Sequence, residues 1–100
     1  MVKHIVMWKF KPEAEGLTKA ENLLKVKGML EALPEKIDFI RKIEVRINEN
    51  QNGKNFDAVL ISEFDSLEDV GRYRVHPEHK KISDYVALVR EDRACVDYTE

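Results

Sequence analysis

Hydrophobic and polar residues alternate from Val2 to Phe10, which predicts a strand with Val2, His4, Val6, Trp8 and Phe10 on one side and Ile5 and Met7 on the other. Past Pro12 and Gly16 the period changes. Leu23, Val26, Leu30 and Leu33 recur at helical intervals behind Thr18 and Glu21, which have capping-box spacing, and the pattern stops at Pro34. Gly28 is a weak point in that helix. Alternation returns from Phe39 to Ile47, followed by turn chemistry from Asn48 to Asn55 around Gly53 and a partner strand from Phe56 to Phe64. Ser66, with acids at Glu68 and Asp69, caps a short second helix. His76 before Pro77 predicts a break and a restart at Pro77, because a residue preceding proline avoids helix while proline suits the first helical position. The restarted helix carries Ile82, Tyr85, Val86 and Val89 on one stripe, and a last strand runs from Arg93 to Tyr98.

The resulting order, β-α-β-β-α-β, is the split, ferredoxin-like α+β pattern with a four-stranded antiparallel sheet. Both helices then lie on one sheet face. The other face also carries apolar side chains, so a second copy stacking its sheet on the first, as a homodimer through the sheet face, is the expected solution.

A chain of 100 residues has room for a single domain, taken here as 1–100. One cysteine, Cys95, excludes an internal disulfide and fits a reducing, cytoplasmic setting; as a strand residue without an adjacent base it reads as a small buried hydrophobe. Seventeen basic and nineteen acidic residues give a formal charge of −2, with no basic cluster interleaved with aromatics, so no nucleic-acid partner is expected. The apolar opening is broken by Lys3, His4 and Lys9, which argues against a membrane segment there. A small molecule or another protein is the expected partner.

His79 shares the inward stripe of Ile82 and Val86 and sits in its helix's first turn, where the helix dipole disfavours the imidazolium and keeps a neutral base available. The plainer alternative makes His76 a helix cap and His79 a hydrogen-bonded core histidine. His4 either lines a pocket beside Trp8 or serves structure only, and Trp8 and Phe10 either stack on an aromatic ligand or pack the core. A zinc site from His76, Glu78 and His79 lacks an obvious further ligand, so no metal and no cofactor is assigned.

The opening Val2 to Lys11, the segment Ser66 to His79 with its His-Pro-Glu-His core, and the ending Val96 to Tyr98 together resemble the stress-responsive dimeric α/β-barrel (Dabb) family. That resemblance covers nearly the whole chain. It implies paired ferredoxin-like subunits forming a shared barrel, with a ligand cavity between each sheet and its helices. It also implies varied activity, since relatives include monooxygenases, heme-degrading enzymes and noncatalytic stress proteins. The family's plant polyketide cyclase, which forms olivetolic acid by aldol-type ring closure, has a catalytic histidine matched here by His79, a tyrosine matched by Tyr73 and a strand-one pocket histidine matched by His4. Magnesium at a loop edge would follow only by analogy with plant members. On this basis His79 and Tyr73 are the expected catalytic pair; His4, Trp8 and His76 are the expected ligand contacts, Trp8 from the strand face it shares with His4. The expected function is binding of a small apolar or carbonyl-containing molecule, with a cofactor-independent cyclase-like lyase and a cofactor-free monooxygenase as alternatives.

Overall fold

Alternation in the first ten residues does become strand β1, Val2–Phe10, whose even-numbered side chains are all buried. The computed structural model describes residues 1–100. A short hairpin that the pattern did not announce follows, β2 (Glu13–Ala14) and β3 (Leu17–Thr18). Its two-residue turn puts both Glu15 (φ 51°) and Gly16 (φ 77°) in the left-handed region, the geometry that matches strand twist in tight hairpins. Glycine at the second position makes it affordable.

Helix α1 spans Lys19–Glu31. Its capping box is complete, since Thr18 Oγ accepts the Glu21 amide at 3.2 Å and the Glu21 carboxylate accepts the Thr18 amide at 3.0 Å. The helix stops short of Leu33; Pro34 disfavours helix in the residue before it, and Leu33–Glu35 form a 3-10 turn that still buries Leu33. Strand β4 is Lys42–Ile47 and β5 is Ala58–Phe64, each beginning two or three residues later than the alternation suggested. Phe39 is therefore a loop anchor, packed on Phe64 at 6.4 Å with the Arg72 guanidinium 4.2 Å over its ring. Helices α2 (Leu67–Val75) and α3 (Pro77–Val89) meet at His76, as the His-Pro step predicts. Strand β6 runs from Arg90 to Thr99, longer than expected at both ends.

The sheet order is β4-β5-β1-β6, antiparallel throughout, with Trp8 opposite Ala58 on one side and Arg93 on the other. Its inner face packs on the helices through Val6, Phe10, Leu60 and Phe64 against Val26, Leu30, Ile82, Val86 and Val89. Fully buried Asn22 ties α1 to the β2–β3 hairpin and to α3: it donates to the Ala14 carbonyl at 3.1 Å and accepts the Tyr85 hydroxyl at 2.5 Å. The outer face is uncovered. Ile5, Met7, Ile61 and Val96 form its apolar centre, with Met7 39% and Val96 55% exposed, and the Lys3–Glu63 and Lys42–Glu63 pairs lie toward its edge. No helix is long and apolar enough to cross a membrane.

Candidate functional site

Strand pleat and helix pitch aim several chemically active side chains into one space. Inner-face positions of β1 present His4, Val6 and Trp8, and the facing turns of α3 present His79, Ile82, Ser83 and Val86. Between them lies a cavity of about 350 Å³, completed by Leu30, Leu60, Arg74, Ala87, Arg90 and Arg93. That is at the small end of ligand-site volumes. Its walls are apolar near α1 and β5 and cationic along β6.

His4 is buried and gives its Nδ1 to the Asp97 carboxylate, its cross-strand neighbour in the β1–β6 register. Burial lowers its pKa, against the opposing pull of the Asp97 hydrogen bond and charge. The imidazole is therefore neutral, with Nδ1–H as donor and Nε2 as acceptor. Asp97 also accepts from Arg74 Nη2 at 3.2 Å, so its charge is answered on both sides.

His79 is half-buried in the first turn of α3. Its Nδ1 lies 3.2 Å from the Arg74 carbonyl, which can only accept, so the proton sits on Nδ1 and Nε2 keeps its lone pair. Burial holds the His79 pKa below its ordinary value, with smaller contributions in the same direction from His4, Arg93 and Arg74. The neutral form is favoured by desolvation first, against the opposing pull of the hydrogen bond to the Arg74 carbonyl.

Tyr73 is fully buried and stands behind the two histidines, its ring 4.2 Å from that of His79 and 5.9 Å from that of His4. It does not line the cavity. Burial raises its pKa, so it stays a neutral phenol, and its hydroxyl is the one buried side-chain polar atom with no partner in the protein. Trp8 lines the cavity, whereas Phe10 packs into the core. His76 does not reach the cavity: its Nδ1 accepts the Glu78 amide at 3.1 Å, making it the cap of α3, so the expected ligand contact is replaced by the capping role. Cys95 differs from its expected burial. It is exposed on β6, the edge strand of the sheet, 3.7 Å from His4 Nδ1.

His4, Cys95 and Asp97 bring three possible metal donors within 4.8 Å of one another. Arg74 lies 3.2 Å from Asp97 and 3.8 Å from the Cys95 sulfur, a cation already in the place where a metal would need these donors free. The set works as a hydrogen-bonded cluster. The sequence reading missed Arg90, Arg93 and Asp97, because charges in a terminal strand read as solvated, and Arg74, because an arginine in the last turn of α2 reads the same way. The signal was the register, since odd-numbered residues of β6 share the face of even-numbered residues of β1.

Both cavity histidines take up protons less readily folded than unfolded, so the unfolded chain protonates first as pH falls. Stability is expected to drop as pH is lowered below about 6.5, ahead of carboxylate titration. Urea unfolding at pH 7.5 and 5.5 measures this; an unchanged midpoint would mean that the rings charge freely in the native state.

A ferredoxin-like sheet carrying its helices on one face and a histidine-lined cavity between the layers defines an α+β-barrel subunit. The family description "Stress responsive A/B Barrel Domain" matches residues 2–100, and the chain belongs to this Dabb family. Among solved structures it is similar to a dimeric protein of unknown function and ferredoxin-like fold from Bacteroides fragilis, at 42% identity and a TM-score of 0.84, covering 99% of this chain and 95% of that one. An Arabidopsis thaliana protein shares 20% identity at a TM-score of 0.82, covering 100% and 95%. A hydroxynitrile lyase from Passiflora edulis shares 16% at 0.74, covering 97% and 90%, a likeness of fold alone. No curated protein matches.

Proposed function

We propose that this protein binds a small, largely apolar, carbonyl-containing molecule in the cavity between β1, β6 and α3, as one half of a homodimer. The observation that carries the reading is the cavity itself, about 350 Å³ with His4, Trp8 and His79 in its wall. Neutral histidine nitrogens offer a polar contact there, while Val6, Leu60, Ile82 and Val86 exclude water. The chain has a single tryptophan, Trp8, so its emission reports occupancy. Titration with 2-octanone is expected to shift that emission saturably, and Ile82→Trp, which fills the cavity and adds its own signal, to abolish binding measured by calorimetry. No saturable change with the native chain would sink the reading.

The dimer is supported by the uncovered apolar sheet face and by the dimeric state of the 42% identical relative. Sedimentation equilibrium is expected to give twice the 11.7 kDa chain mass. A monomer at micromolar concentration would refute it.

A second reading, a lyase or cyclase working by proton abstraction next to a carbonyl, is favoured by one observation: the Arg74 carbonyl fixes the tautomer of the cavity-lining His79 that leaves Nε2 as an acceptor. Tyr73, the other half of the expected catalytic pair, packs behind the His79 ring and does not line the cavity, so it supports that ring and does not donate to a bound carbonyl. This reading requires the native protein to accelerate exchange of acidic α-protons in a β-diketone, and fails if it does not.

A further inference from the structure

The inner face of the sheet is apolar or small on β4 and β5, but on β6 it is not. Arg93 stands opposite Trp8 and Arg90 opposite Phe10, both on the side facing the cavity, and both line it. Of the six arginines in the chain, Arg41, Arg46, Arg72 and Arg74 each have a carboxylate within salt-bridge distance, at 2.7, 3.2, 2.9 and 3.2 Å. Arg90 and Arg93 have none. Their charged neighbours in sequence do not answer them: Asp92 pairs across from Lys9 on the opposite sheet face, and Glu91 falls at the register shift between Lys9 and Phe10. Asp97, the one carboxylate on this side of β6, is held by Arg74 and His4.

We propose that the cavity selects a ligand with a carboxylate at one end of an apolar body, the carboxylate bound by Arg90 and Arg93 and the body lying along Trp8, Ile82 and Val86. This rests on the cavity being a ligand site. Guanidinium groups offer planar, paired donors that match a carboxylate, and two of them beside low-dielectric walls strengthen that bond. Two cations that line one cavity with no carboxylate in reach repel each other. A ligand anion relieves it.

The test compares octanoate with 2-octanone, equal in chain length, by calorimetry and Trp8 emission on the native protein at low salt. Octanoate is expected to bind at least about tenfold more tightly, the worth of a charge-assisted hydrogen bond. In the Arg90→Gln, Arg93→Gln double variant the ratio of octanoate to 2-octanone affinity should fall to about one, and in the native protein that ratio should shrink with added salt. Should the variant misfold, the salt series on the native chain decides alone. Equal affinity of the two ligands, or an octanoate advantage indifferent to salt or to loss of both arginines, overturns the proposal and leaves the cavity reading standing. If neither ligand binds, the cavity reading falls and takes this inference with it.

Discussion

Replacing His79 by glutamine is expected to slow α-proton exchange of 2,4-nonanedione by about 10²- to 10⁴-fold, the usual contribution of a positioned general base. Binding of 2-octanone should change far less. The separation follows from how the ring is held. Tyr73 packs against it at 4.2 Å, and the Arg74 carbonyl takes Nδ1–H at 3.2 Å, so only Nε2 is free to accept a proton. Glutamine can keep the carbonyl contact and much of the volume, but its amide is not a base at neutral pH. Because His79 titrates below its ordinary value, the native rate should hold as pH falls through 6.5 and decline only under the lower folded pKa. Deuterium exchange followed by proton NMR reads both effects. Equal rates in the variant would remove His79 from the chemistry and leave a binding protein.

Phe64→Ala is expected to cost about 3–5 kcal/mol of stability, the range for deleting a buried aromatic ring whose surroundings cannot collapse. Phe64 has no exposed surface and lies 5.1 Å from Tyr73, 6.4 Å from His4 and 6.4 Å from Phe39, so it touches both the site's supports and the loop anchor. For a domain of this size the melting temperature should fall by roughly 15–30 °C, compared at equal protein concentration since association stabilises the fold. His4 and Tyr73 lose their brace in the same variant. A loss under about 1 kcal/mol would mean that the aromatic cluster relaxes freely and does not hold the site rigid.

Much of this architecture was legible because burial imposes strict periods. In β1 the even residues alternate cleanly against charged or partly exposed ones, and the Thr18 and His76–Pro77 signals sit where the helices begin. What escaped was decided by contacts remote in sequence. Phe39 looks like a strand residue until Arg72 and Phe64 claim it from elsewhere in the chain. The β2–β3 hairpin turns on Glu15 in a conformation that its side chain does not advertise. At the site, His79, His4 and Trp8 stood out by stripe and face, and all three line the cavity. The β6 residues did not, since Arg93 and Asp97 acquire meaning only from pairing with Trp8 and His4. Of the two roles open to His76, ligand contact and helix cap, the structure shows the cap, with its side chain spent on starting α3.

The pairing of β1 with β6 has a bearing on how the protein comes to exist. His4 and Asp97 meet across 93 positions of sequence, and β1 lies in the middle of the sheet with β6 as one of its two neighbours. On a ribosome the first strand emerges early and waits for almost the entire domain to be translated before that edge is filled. Long-range pairing of this kind is slow to find and leaves apolar strand surface open meanwhile. Because β6 follows every other element of the domain and supplies Arg90 and Arg93 to the cavity, the binding site cannot be complete until that strand has paired.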